Sequence, residues 1–539
     1  MARVLDECER VSADFAADPV HDLRVALRRC RSMADGLMAM VPDPDWKAMK
    51  KAGKRLFQRL GDLRDTQIMI EWIEKLHPGN GAPTHSPAHD HAVENRGDTK
   101  TPATEGADVA PPNHHPARNP AAHVLLQILR QREAEQKHAA RAALEEFDRK
   151  QWRHWTKILP RRAARIRPGS AAFKHLALER WTAARELHNR ALRNRSQAAF
   201  HALRIGIKRF RYIVENFLPA EHKAWSDDLK RMQDLLGEVH DLDVLWATAL
   251  SCRVFPDEDS RKAWHACIAE ERTKRVEEYR QRTVGPDSLW NVWRAGLPQG
   301  KQVQAIATRR MKLWARALDP DFAHSERVAR LALEIYDGLG AAGLLGAMNG
   351  AGGDARDSLY LAALLHDVGK SKGNKGHHKA SLELIKAHGT PLGWNAEAMQ
   401  RAAVVARFHA GALPTRSHRA MRDLLPDEQK VIIRLAAILR LANALDAAHD
   451  GHIRRVQIES AGRMSTDARR RANGFLRKPP SLGRNEALVI AAEGYRPASP
   501  TARTIAAERH MLETVLRRPV VVKVASGFRR PAPGAGTRP

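Results

Sequence analysis

HDLRVALRRCR (residues 21–31) and HALRIGIKRFR (residues 201–211) follow one pattern, H-x-L-R-h-x-h-[KR]-R-x-R, in which h is apolar or small. A second pair keeps the same order: LGDLRD at 60–65 and LGEVHD at 236–241. Two matched pairs in near-constant register read as two copies of one helical unit. His21, Arg24, Arg28 and Arg31 fall three or four residues apart and so share one helix face, as do His201, Arg204, Lys208 and Arg211. Leu203, Ile207, Phe210 and Val214 form the opposing apolar stripe. Like charges stacked at i and i+4 cost an isolated helix about a few tenths of a kcal/mol per pair. A bound polyanion would reverse that sign.

Composition bounds the rest. The chain has 539 residues, room for about three or four domains, and 43% hydrophobic residues exclude wholesale disorder. Aromatics at 5% argue against an extended base-stacking platform. The net charge is +28, and residues 121–220 alone carry 22 lysines and arginines against eight acids. Cys8, Cys30, Cys252 and Cys267 show no CxxC spacing and read as reduced thiols. The opening MARVLDECERVSADF puts acids where a signal peptide needs an apolar core. The most apolar run, VIIRLAAILRLANAL, is broken by Arg434 and Arg440 and reads as a buried helix. A cytoplasmic protein with no membrane partner is expected.

Punctuation divides the chain. Residues 78–122, rich in Pro, Gly, Asn and Thr, are expected to be a disordered insert. Residues 284–300 read as a linker and 526–539 as a frayed tail. The stretches 1–77, 123–283 and 301–450 carry helical patterning, followed by short apolar runs at 455–458, 487–490 and 520–524 that suggest a small sheet. The expected fold is mainly α: a duplicated helical bundle over 1–283, then an α-helical domain over 301–525 closed by that sheet.

At the repeated motifs, residues 1–283 resemble the CHAD family, the conserved-histidine α-helical domains. The resemblance implies two pseudo-symmetric bundles around a basic channel, with inorganic polyphosphate as partner. Carried over, the contacts are His21, Arg24, Arg28, Arg29 and Arg31, then His201, Arg204, Lys208, Arg209 and Arg211. Arginine's planar fork suits phosphate oxygens. Nucleic acid is the rival, because charge alone does not distinguish polyanions.

The second half carries a histidine–aspartate series: His324, His366-Asp367 in LAALLHDVGK, His377-His378, His409, and LRLANALDAAHDG. Imidazole nitrogens plus carboxylates suit a divalent ion such as Mn, Fe or Zn, a usual activator of water for attack on phosphate. Lys370, Lys372 and Lys375 in the adjoining Gly-rich loop could steer phosphate oxygens. The order resembles the HD superfamily of phosphohydrolases, and more narrowly the C-terminal region of the exopolyphosphatase/guanosine pentaphosphate phosphatase family. That implies His324, His366, Asp367, His378 and His409 as metal ligands and Asp367 and Lys370 as catalytic. Where HD hydrolases place the Asp of an L-A-D motif this chain has Asn443, so Asn443 or Asp446, one turn on, completes the set. The actin-like ATPase-fold domain of exopolyphosphatases is absent from the sequence.

Three readings follow. The favoured one is a polyphosphate-binding protein with an HD-type phosphohydrolase acting on polyphosphate or a nucleotide. The second is a non-catalytic protein of polyphosphate granules with a degenerate HD scaffold. The third, least favoured, is a nucleic-acid-associated protein.

Overall fold

The computed structural model describes residues 1–77, 120–345, 354–459 and 487–525. Nearly all of the expected insert (78–119) and the expected tail (526–539) lie outside the described residues. The chain divides into two compact units, Met1–Met38 with Asp43–Pro298, and Ala39–Pro42 with Gln299–Pro539.

Among the described residues the first unit contains helices and no strand. Its first half holds α1 (Ala2–Val11), α2 (Ala17–Met38), α3 (Pro44–Ala52), α4 (Lys54–Leu76) and α5 (Pro120–Glu145). Residues 120–122, assigned to the insert by composition, are instead the first turn of α5, where Pro120 costs no hydrogen bond because a first-turn N–H lacks a partner anyway. Then come α6 (Arg149–Ala163), α7 (Ala171–Asn194), α8 (Gln197–Phe217), α9 (Pro219–Ser251), α10 (Glu258–Thr283) and α11 (Leu289–Ala295).

The duplication is visible in the packing. Histidine-basic helix α2 packs on α4, which carries LGDLRD, and α8 packs on α9, which carries LGEVHD. The copies meet through α2 against α8 and α4 against α9. Position by position, residues 21–31 and 201–211 have the same sequence of exposed, half-buried and buried residues. Leu203, Ile207, Phe210 and Val214 are fully buried, and Leu23, Leu27, Cys30 and Ala34 fill the matching places in α2. Gly36 lets the two helices approach, since a Cβ there would run into the Phe217 ring.

The expected linker 284–300 is not a loose connector. Within it α11 sinks Trp290 and Trp293, both fully buried, and Trp293 lies 5.7 Å from Phe210. Flanking Pro and Gly gave the segment a loop's composition, but two indoles bury enough apolar area to tie it into the first unit.

The second unit comprises α12 (Gln302–Leu318), α13 (Phe322–Ala341), α14 (Asp354–Leu365), a 3-10 turn (Val368–Lys372), α15 (His377–His388), α16 (Ala396–Arg407), the single turn α17 (Arg419–Arg422) and α18 (Pro426–Leu445). Strands β1 (Arg455–Glu459) and β2 (Leu488–Glu493) pair antiparallel, with Ile458 opposite Ile490. Helix α19 (Pro500–Leu516) then crosses back so that β3 (Val520–Val524) pairs parallel to β2, Leu488 opposite Val520. The mainly α fold with a small closing sheet is thus as expected. Helices α13, α14, α16 and α18 enclose one core of Leu, Ile, Val and Ala. Among the described residues no helix is long and apolar enough to cross a membrane, and all four cysteines are free thiols.

Candidate functional site

In the second unit several helix ends converge on Asp367. His324 lies in the first turn of α13, whose N-cap Asp321 accepts a hydrogen bond from the His324 backbone N–H. His366 and Asp367 follow the last residue of α14, His377 opens α15, and His409 follows α16. Each of the last three imidazoles donates from Nδ1 to the carbonyl three residues back: His366 to Ala363 (2.7 Å), His377 to Asn374 (2.8 Å) and His409 to Ala406 (2.7 Å). A carbonyl only accepts, so Nδ1 carries a proton in all three, and each ring in its neutral form presents a bare Nε2.

Those nitrogens gather around one carboxylate. Asp367 Oδ1 lies 3.3 Å from His377 Nε2 and 3.6 Å from His409 Nε2, while Oδ2 lies 3.4 Å from His366 Nε2. His377 Nε2 and His409 Nε2 face each other at 3.0 Å, two lone pairs that require a cation or proton between them. His366 Nε2 is buried with no hydrogen-bond partner. Two groups of mutually close ligand atoms result, His324–His366–Asp367 and Asp367–His377–His409, and Asp367 belongs to both.

The electrostatics agree. Burial alone would raise the Asp367 carboxyl, but His366, His409 and Lys370 outweigh it and hold the group well below the usual carboxylate range. Burial would lower His366, yet Asp367 prevails and its proton affinity is raised. Burial, then the charge of His366, pushes His409 well down and keeps it neutral. The Lys370 ammonium sits 2.6 Å from Asp367 Oδ2, a further sign of a carboxylate short of positive charge. The donor set, three inward Nε2 atoms around a buried carboxylate, fits a borderline divalent ion.

The scaffold behind the site is tight. Gly369 N–H donates to Ser381 Oγ (2.9 Å), which itself donates to the His366 carbonyl (2.6 Å). A Cβ on Gly369 would collide with the His377 carbonyl and come within 2.6 Å of the Ser381 nitrogen. Gly369→Ala is therefore expected to drive α15 away from Asp367 and lower metal affinity by about 10–100-fold, the usual cost of disturbing ligand orientation. Metal titration of the variant checks this, with polyphosphate retention as the control for the first unit. Across the site, Arg440 of α18 donates from Nη1 to the carbonyls of Phe408 (3.2 Å) and Gly411 (3.1 Å) and pairs with Glu508 at 2.6 Å, pinning the loop that carries His409.

The first unit holds a second cluster. Half-buried Arg28, Arg204 and Lys208 have no carboxylate ion-pair partner among the described residues, and the Nε atoms of Arg28 and Arg204 are buried without hydrogen bonds. Arg28 lies over the ring of Tyr212 (5.5 Å), so its charge is positioned by an aromatic face. Burial, then Arg204, Arg28 and Arg24, pushes Lys208 down to about 7. His240 falls to about 4 through burial and the nearby Arg204, His201 and Lys208. Cations from both copies therefore act on one another. Asp241, pushed up to about 6 by burial with Asp65 adding to it, shows that the two L-G-[DE]-x-x-D ends converge there too.

The CHAD domain model matches residues 1–250. The model for Ppx/GppA phosphatase, domain III, matches residues 306–478. The chain carries both domains. No curated protein matches the chain.

Within the CHAD domain not every expected contact joins the cluster. His21, Arg24, Arg28, Arg204 and Lys208 influence one another, and His201 Nδ1 lies 3.2 Å from His240 Nδ1. Arg29 instead pairs with Glu215 at 2.9 Å, and Arg211 lies 3.8 Å from the same carboxylate. Arg31 donates to the Lys50 carbonyl (2.9 Å). Arg209 lines a separate cleft with Lys50 and Arg180. Arg64 and His240, absent from the expected set, belong to the cluster. They are the same place, the fifth, in the two turn motifs, so the register that revealed the repeat also marks them.

Within the Ppx/GppA-type domain His377, and not His378, faces Asp367. Neighbours on a helix point about 100° apart, and His378 turns toward Gly411, its ring 6.4 Å from that of His409. Asp446 is also not free to be a ligand. Its Oδ2 accepts from His324 Nδ1 (2.7 Å) and Arg327 Nε (2.8 Å), and its Oδ1 accepts from the Gly451 N–H (3.0 Å). It orients His324, whose Nε2 then faces Asn443 Oδ1 at 2.9 Å. Lys372 and Lys375 are exposed on the adjoining loop.

Proposed function

We propose that the chain binds inorganic polyphosphate through its CHAD domain and hydrolyses a phosphate ester or anhydride at a divalent-metal centre in its Ppx/GppA-type domain. The observation that carries the hydrolytic half is the set of three imidazoles, each fixed by its Nδ1–H so that Nε2 points at Asp367. His324, His366, Asp367, His377 and His409 would hold Mn, Fe or Zn, with Asn443 as a neutral ligand beside His324. Such an ion polarises phosphate oxygens and eases ionisation of a water. The chain's own groups do the rest. Asp367 joins the two ligand groups, Asp446 and Arg327 hold His324 in register, and Lys370 provides a charge for phosphate oxygens once the metal satisfies Asp367. The polyphosphate half rests on the unpaired cations of α2 and α8, which gain a countercharge only when a polyanion arrives.

Metal analysis of the purified full chain tests the hydrolytic half. Bound metal, with phosphatase activity restored by Mn or Fe after chelation, is expected. Absence of both after loading would leave the second reading, a binding protein with a degenerate scaffold. Asn443, standing where an acid is usual, favours that alternative.

A further inference from the structure

The second unit contains a bowl of about 740 Å³, within the size range of small-molecule sites. Its walls are α15, the end of α16 and α17. Lys379, Lys386, Arg407 and Arg419 line it against two acids, Glu383 and Asp423. Among the described residues none of these six side chains forms a salt bridge, so the bowl keeps a surplus of positive charge. The Arg407 guanidinium lies 5.1 Å from the centre of the Phe408 ring, and its Nη1 is buried with no hydrogen-bond partner. A buried charged donor left unmatched is costly, and an incoming anion removes that cost. His418 accepts at Nδ1 from the Thr415 N–H (3.1 Å), which leaves Nε2 as its donor. The bowl adjoins the metal centre twice along the chain: Lys379 follows His377-His378, and Arg407-Phe408 precede His409.

We propose that this bowl binds a second phosphate group of a phosphoanhydride, so that the domain selects chains or nucleotides with at least two linked phosphates over isolated monoesters. The substrate role rests on the hydrolytic reading above; the anion site does not. The guanidinium fork of Arg407 and the three ammonium or guanidinium groups around it match adjacent phosphate oxygens.

Hydrogen–deuterium exchange on the metal-stripped full chain tests this, peptide by peptide, with tripolyphosphate, guanosine diphosphate and orthophosphate at equal phosphate concentration. Tripolyphosphate is expected to slow exchange in α15 and residues 407–423, and orthophosphate is not. Lys386→Glu with Arg419→Glu, both at exposed positions, should raise the tripolyphosphate needed for that protection at least about tenfold. Metal content and retention of long polyphosphate should stay unchanged. Protection by tripolyphosphate equal to or stronger than that by guanosine diphosphate assigns the site to the phosphate chain, and stronger protection by the nucleotide assigns it to a nucleotide; either supports the bowl. No protection there, or protection untouched by the double reversal, overturns it. Because metal is absent throughout, a failed hydrolase and a failed anion site give different results.

Discussion

Asp367→Asn is expected to lower metal affinity by more than about 100-fold, since groups that merely orient ligands already account for about 10–100-fold. Asp367 is the residue shared by both ligand groups, so its loss weakens both at once. The amide keeps the shape and removes the charge that draws in His366 and Lys370. Metal content and phosphatase activity should fall together, while polyphosphate retention by the CHAD domain is untouched. A variant that kept full metal content would exclude Asp367 as the joining ligand.

The second large effect is on the polymer. Arg28→Gln, Arg204→Gln and Lys208→Gln together should weaken polyphosphate retention about 100-fold or more at fixed salt, each charge-assisted contact contributing about 1.5–3 kcal/mol, and flatten its salt dependence. The fold should not suffer, because these cations oppose one another. Lys208 titrates at about 7 in the folded chain against 10.5 for a free lysine. The folded state therefore binds fewer protons between those values, stability rises with pH across that window, and the burden of the charge is complete below about 7. A polyphosphate chain restores the proton, so affinity should fall as pH climbs past about 7, and Lys208→Gln alone should blunt that fall. Retention, thermal melting and a pH series separate these effects. Undiminished retention by a folded triple variant, or displacement of polyphosphate by duplex DNA at equal phosphate concentration, would remove polyphosphate as the preferred partner.

What the sequence made legible follows from range of interaction. The repeated helix could be read because its period, its apolar stripe and its charges lie within fourteen residues, His201 to Val214 in the second copy. Arg64 and His240 were within reach through the turn motif. His377 was not distinguishable from His378, because the choice depends on where α15 starts, and Gly376 with φ of 76° sets that point. Arg440 was visible only as a charge unsuited to a membrane; its role needs Glu508, 68 residues away. Trp290 and Trp293 looked like linker residues until tertiary burial claimed them.

The pairing of Arg440 with Glu508 also bears on where the second unit can be severed. The Ppx/GppA match stops at residue 478, before β2, α19 and β3. A truncation there would strip the guanidinium of its carboxylate, leave β1 without a neighbouring strand and bare the face of α18 that α19 covers. Similarity ends earlier than cooperativity does, and a fragment meant to survive alone must run through Val524.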